Sequence, residues 1–205
     1  MQTLILDCDN TLYRNDDLFV AVGNRIIEFM ISKLDFSRNH VNQIRKEYWK
    51  KYGTTLAGLI RDTDVDPYEY LNYVHDIQLP DYIMPNPGLK SILKSMKMDV
   101  YVMSNAPRFH VDEVLDILDI NDIPLGVYTI EDFSFNGKPF ESAYRRLLEE
   151  SRLNAKDSIM VDDNTPNLLG AKRVGMHTCL VGKPDGYSFD YEISDISRIG
   201  EITHR

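Results

Sequence analysis

Short apolar runs alternate along this chain with segments whose apolar residues recur at helical spacing. Residues 3–6, 99–103, 158–161 and 176–181 are brief and rich in Val, Ile, Leu, Met or Tyr, which predicts buried parallel strands. Between them, Leu89, Ile92, Leu93 and Met96 share a helical face. Val111, Val114, Leu115 and Leu118 repeat that spacing, and Phe140, Ala143, Tyr144, Leu147 and Leu148 are compatible with it. Strands alternating with amphipathic helices predict an α/β fold: a doubly wound, mainly parallel, Rossmann-like sheet with its ligand site at the carboxyl ends of the strands. Residues 191–195 predict one last short strand or turn.

Residues 15–85 break this rhythm. Phe19, Val22, Ile26, Ile27 and Met30 mark one helix and Ile44, Tyr48 and Trp49 another, with no convincing strand. The chain therefore divides into an α/β core, residues 1–14 and 86–205, and an inserted α-helical domain, residues 15–85. The insertion leaves beside the first strand and returns through Pro80, Pro85 and Pro87, which suits a lid with a second hinge at the return.

The first strand runs into Asp7-Cys8-Asp9-Asn10-Thr11. If the strand continues, Asp7, Asp9 and Thr11 share one face while Cys8 and Asn10 point away. Two acids this close repel unless a cation or a shared proton lies between them, so the run reads as a metal or acid/base site. A solvated turn is the other reading, since Asp, Asn and Thr are good turn formers. Three later features fall at other strand ends or ahead of a helix: Ser104-Asn105-Ala106, Asn136-Gly137-Lys138-Pro139 and Asp162-Asp163. Singly, Ser104 reads as well as a helix cap and Lys138 as a solvated lysine. Together with the first acidic pair, they converge on one end of the predicted sheet.

Composition narrows the partners. The chain has 205 residues, 43% of them hydrophobic, enough for one substantial domain with or without a smaller insertion. The 23 Lys and Arg are dispersed against 32 Asp and Glu, a net charge of −9, which argues against a nucleic-acid polymer. A small phosphate remains compatible where a divalent ion and a lysine outweigh the global charge. The start carries no secretory pattern and no apolar run is long enough to span a bilayer, so a cytoplasmic protein without a membrane partner is expected. Cys8 and Cys179 suggest neither a disulfide framework nor a zinc site, and His75, His110 and His177 suggest no metal set.

The order Asp7-x-Asp9-x-Thr11, Ser104, Lys138, Asp162-Asp163 resembles the four motifs of the haloacid dehalogenase-like hydrolase superfamily, and the insertion resembles that superfamily's helical cap after motif one. The runs at residues 7–13, 52–59, 104–106, 137–139 and 161–163 are similar to the pyrimidine 5′-nucleotidase branch. The resemblance implies a Mg²⁺-dependent phosphomonoesterase acting on a small phosphorylated metabolite, a nucleoside 5′-monophosphate foremost, as a monomer or homodimer. A phosphoglycolate or sugar-phosphate phosphatase is the alternative, and a non-catalytic regulatory or binding member belongs to a different class. A phospho-signalling receiver also uses paired acids and a lysine, but its acid pair precedes the acceptor strand, the reverse of the order here.

Residue by residue, the resemblance implies Asp7 as nucleophile and Asp9 as general acid and base. Lys138 is implied as a charge on phosphate and nucleophile, with Ser104 and Asn105 as phosphate donors. Asp7, the Asp9 carbonyl, Asp163 and Asp162 are the implied Mg²⁺ ligands, Asp162 directly or through water, with Asn167 where the family more often has a second acid. Thr11 is a substrate-side candidate that reads better as a brace of the turn. Arg108 either meets substrate or begins a helix. Tyr52, Thr54 and Thr55 are cap candidates, and Tyr13, Trp49, Tyr68, Tyr70 and Tyr73 either stack on a base or pack the core.

Overall fold

The structure, a computed structural model, describes residues 3–204, with side chains described to residue 202. Among these, β1 (Thr3–Leu6), β2 (Asp99–Met103), β3 (Gly126–Tyr128), β4 (Ser158–Asp162), β5 (His177–Val181) and β6 (Tyr191–Ile193) form one sheet in the order β3-β2-β1-β4-β5-β6. Every pairing is parallel. The chain winds outward from β1 through β2 to β3, then returns to β1's other side with β4. That reversal opens a crevice at the carboxyl ends of β1 and β4, where doubly wound sheets bind ligands.

Alternation along the strands divides the core. Leu4, Leu6, Val102, Ile159, Val161 and Cys179 join one apolar cluster, which includes residues of α5 (Pro87–Ser95), α6 (Arg108–Ile117) and the 3₁₀ segment Ile196–His204. Ile5, Met103, Met160 and Leu180 join the other, with α7 (Glu141–Glu150) and α8 (Thr165–Arg173). Burial on both faces explains why these strands are apolar throughout rather than alternating with polar residues. The described sheet also contains β3, which the apolar pattern did not anticipate. At three half-buried residues on the sheet edge, it is too short to show a period.

The first strand does not extend to Thr11. Pairing reaches one residue past Leu6, where the Asp7 amide donates to the Val161 carbonyl at 2.9 Å. The chain then turns: Asn10 takes φ 59°, and the Thr11 and Leu12 amides both donate to the Cys8 carbonyl. Period-two sharing of a face therefore stops at this turn.

Residues 15–85 hold α1 (Asp16–Leu34), α2 (Val41–Tyr52), α3 (Thr55–Asp62), α4 (Pro67–Val74) and a 3₁₀ turn at Leu79–Asp81. Phe29, Met30, Val41, Leu56, Leu59, Tyr70, Leu71 and Val74 bury one another in a separate small core, joined by Ile130. Side-chain caps start three of these helices: Asn15 accepts from the Leu18 amide, Thr54 from Ala57, and Asp66 from Tyr68 and Glu69 ahead of Pro67. Each cap contributes about 1 kcal/mol. Asn15 also donates to the Tyr82 carbonyl at 2.8 Å, so one side chain ties the outgoing crossing of the chain to the return. Phe19 and Trp49 are 63% and 47% exposed, lining a cavity beneath these helices instead of entering their core. No helix among the described residues is long and apolar enough to cross a membrane.

Candidate active site

The crevice at β1 and β4 is floored by charge. Lys138 is 1% exposed and reaches Asp7 Oδ1 at 2.6 Å and Asp162 Oδ2 at 2.7 Å. Burial alone would lower its pKa, but the Asp162 and Asp7 carboxylates more than offset this and hold the ammonium protonated. Asp162 has further donors: Asn164 N–H donates to Oδ1, and Asn167 Nδ2 donates to both oxygens at 3.1 Å. Asn167, standing where an acid is more usual, thus serves Asp162 as a donor. Asp163 lies beside this group as an exposed residue.

Oxygens of Asp7, Asp162 and Asp163 lie within 4.8 Å of one another. Three carboxylates against one ammonium leave an excess of negative charge. Burial, then the neighbouring acids, raise the Asp7 pKa well above the carboxylate range despite Lys138. Partial burial of its carboxyl end and the Asp162 charge lift Asp163 to about 7. A divalent cation fits this group on chemical grounds: the donors are hard oxygens, and its charge matches the excess.

Two backbone approaches fix Lys138. The Asn105 side chain brackets it, donating to the Lys138 carbonyl and accepting from the Lys138 amide, both at 2.8 Å. A Cβ on Gly137 would lie 2.1 Å from Asn105 Oδ1, so only glycine permits the bracket. From the helical layer, Gly53, at φ 78°, packs on the Lys138 carbonyl, which a Cβ would meet at 2.5 Å. Ser104 is 1% exposed at the end of β2, lines the cavity, and accepts from the Ala106 amide at 3.0 Å. Thr11 does not line the cavity; its hydroxyl accepts from the Asp163 amide at 3.1 Å and braces the two acidic turns against each other.

Asp9 has different surroundings. Its Oδ1 accepts from the Tyr13 hydroxyl and pairs with His110 Nε2 at 2.7 Å, while His110 itself is 3% exposed. Burial would raise the Asp9 carboxyl, but His110 and Tyr13 more than offset this and hold it well below the usual range. The His75 ring, at the end of α4, lies 5.0 Å from the His110 ring. Histidine spacing gave no metal set, and this hydrogen-bonding role was missed. The available signal was a polar residue one helical turn before Val114, on the buried face of α6.

Asp7, Asp9, Ser104, Asn105, Lys138, Asp163, Thr54 and Thr55 all line one cavity of about 670 Å³ between floor and helical layer. Its upper walls include Leu18, Phe19, Val22, Ile26, Trp49 and Leu56, together with the cationic Arg45, Lys46 and Lys50 of α2. Tyr13 and Tyr70 also line it, whereas Tyr68 and Tyr73 do not. Besides Thr11, two expected substrate-side residues are not brought here. Arg108 begins α6 and spends its guanidinium on the Val127 carbonyl and Asp132, at 3.0 Å from the latter. The Tyr52 ring lies outside, with Lys51 and Arg61 over it at 4.9 and 5.2 Å.

Residues 1–175 match the family described as hydrolase, haloacid dehalogenase-like hydrolase. Phosphate metabolism protein 8 of Saccharomyces cerevisiae is 24% identical over an alignment of 192 residues that covers 85% of this chain and 60% of the yeast protein. This chain thus spans about 60% of the length of that curated relative. Among solved structures, a HAD phosphatase from Thermococcus onnurineus superposes with a TM-score of 0.68 at 20% identity, over 100% of this chain and 98% of that one. A 2-haloacid dehalogenase from Pseudomonas syringae pv. Tomato superposes with a TM-score of 0.61 at 17% identity, over 98% and 97%. At these identities the superpositions show the fold alone. These matches do not single out the nucleotidase branch.

Proposed function

The chain belongs to the haloacid dehalogenase-like hydrolase family, and from that premise we propose that it is a magnesium-dependent phosphomonoesterase for a small phosphorylated metabolite, with nucleoside 5′-monophosphates as the substrate class. The observation that carries phosphate over halide is Asp9, a second carboxylate lining the cavity and held by two donors. A halide departs as a stable anion and needs no acid, whereas an alkoxide leaving group must be protonated.

On this reading an Asp7 oxygen attacks phosphorus, the bond to the leaving oxygen breaks, and Asp9, an ionised carboxylate in the free site, delivers to that oxygen the proton it takes up once the anionic phosphate is bound beside it. The resulting aspartyl-phosphate is hydrolysed by a water whose proton returns to Asp9, dividing one slow displacement into two easier ones. Lys138 orients Asp7 and offsets charge on the transferred group, and Ser104 stands at the same floor as a phosphate donor. Mg²⁺ would be held by Asp7, Asp163 and the Asp9 carbonyl, with Asp162 direct or through water. It supplies the positive charge that lets a phosphate bearing roughly −1.5 to −2 approach this cluster.

The helical layer serves as the cap that selects the leaving group. The cavity of about 670 Å³ is far larger than a phosphate needs, and its apolar walls suit a flat ring. The buried Nε of Arg45 has no hydrogen-bond partner among the described residues, which supports an acceptor on that ring. Arg45, Lys46 and Lys50 together also favour a second reading, a leaving group with its own carboxylate or phosphate, as in phosphoglycolate or a sugar phosphate. Phosphate release from UMP, CMP and phosphoglycolate, with and without EDTA, tests both. The relative kcat/KM ranks the substrates, and release at background for every compound with Mg²⁺ bound points to a non-catalytic member.

A further inference from the structure

The family reading gives Asp9 a role but does not explain how its carboxylate is aimed. One oxygen, Oδ1, takes both described bonds, from Tyr13 and from His110, while the Asp9 side chain remains 39% exposed on the cavity. Fixing one oxygen of a planar carboxylate through two donors restricts how the group can rotate, and so sets the direction of its other oxygen. His110 is well suited to this: it projects from the first turn of α6, whose Val111 and Val114 are fully buried, so its backbone has little freedom. It does not stand alone. Its ring meets the edge of His75, which ends α4 in the helical layer and is itself oriented by a contact between Nδ1 and the Leu71 carbonyl at 3.1 Å. His75 in turn packs on the Phe109 ring at 6.2 Å. A side chain of the helical layer therefore touches the core residue that holds Asp9.

We propose that His110, backed by His75 from the helical layer, is a positioning residue that aims the Asp9 carboxylate, so that protonation of poor leaving groups depends on how this layer seats on the core. The inference rests on the reading of Asp9 as the acid. Leaving groups of graded basicity separate it from a packing role. A good leaving group such as 2,4-dinitrophenolate departs without a proton, while phenolate and alkoxides depend on one.

The test is the single-turnover rate of leaving-group release from 2,4-dinitrophenyl phosphate, phenyl phosphate and an alkyl phosphate. The proteins compared are wild type, Asp9→Asn, His110→Ala, His110→Gln and His75→Ala. His110→Ala is expected to lose about 10- to 100-fold on the phenyl and alkyl esters and under about 3-fold on the dinitrophenyl ester. His110→Gln, which keeps a donor, recovers part of the loss, and His75→Ala shows the same pattern on a smaller scale. Equal losses across the series in a folded His110→Ala overturn the proposal. If that variant does not fold, a flat series for His75→Ala and His110→Gln overturns it equally. A flat series for Asp9→Asn instead removes the underlying reading of Asp9, whereas a steep Asp9→Asn beside a flat His110→Ala removes only the inference about His110.

Discussion

The floor and the roof of the cavity are built on opposite terms. On the floor, Lys138 holds Asp7 and Asp162 at 2.6 and 2.7 Å, Asn167 bonds both oxygens of Asp162, and the charged partners are almost fully buried. Above it, Phe19, Val22 and Trp49 present apolar surface to the cavity, and Arg45 keeps a buried nitrogen without a hydrogen-bond partner among the described residues. A buried ion set tolerates almost no substitution, because removing one partner strands the others. An apolar wall tolerates many substitutions of similar volume. On the proposed function, chemistry is concentrated where the chain tolerates least change, and selectivity where it tolerates most.

The largest break in this contrast comes from Lys138→Met, which leaves Asp7 and Asp162 without their counter-ion. It is expected to cost about 3–5 kcal/mol in denaturant unfolding and to abolish phosphate release. Removing metal acts on the floor without mutation: EDTA is expected to lower turnover about 100-fold or more and added Mg²⁺ to restore it, with a rise in Tm on rebinding. Gly53→Ala strikes the joint between the two regions, forcing a Cβ against the Lys138 carbonyl at positive φ. A stability loss of about 1–3 kcal/mol with a fall in kcat is expected, measured by thermal unfolding and steady-state kinetics.

His75 gives a pH test. Burial and His110 depress its pKa to about 3 in the folded protein, from 6.5, so it stays neutral there while the unfolded chain takes up a proton. Its contribution to stability is present above the unfolded value and is lost as pH falls from about 6.5 toward 3. Against wild type, His75→Asn is expected to lose about 2 kcal/mol less between pH 7 and pH 5, read from unfolding at the two values. The smallest effect belongs to the roof. Trp49→Ala is expected to raise KM for a nucleotide by about 3- to 10-fold with kcat nearly unchanged, through lost apolar contact.

What was legible follows the same division. The strands showed because both of their faces are buried, and the floor residues showed because acids, a serine and a lysine at successive strand ends have few other reasons to converge. The brace role of Thr11 was legible, but its sharing of a face with Asp7 and Asp9 was not met, because period-two alternation assumes an extended chain and Asn10 at φ 59° ends it. β3 was missed because three edge residues carry no period. Arg108 and Tyr52 lie next to motif residues, yet helix direction carries their side chains elsewhere, Arg108 to Asp132 and Tyr52 toward Lys51 and Arg61. His110 stayed hidden because its partner is Asp9, distant in sequence, and only the packing of α6 against the first turn brings them together.

The most direct test of the central claim is acid quench of the protein during turnover with Mg²⁺ and a phosphate monoester, followed by mass spectrometry of the peptide containing Asp7. Phosphate carried on Asp7, absent in Asp7→Asn together with activity, is the predicted result. Sustained turnover with no phosphorylated peptide, or full activity in Asp7→Asn, would contradict it.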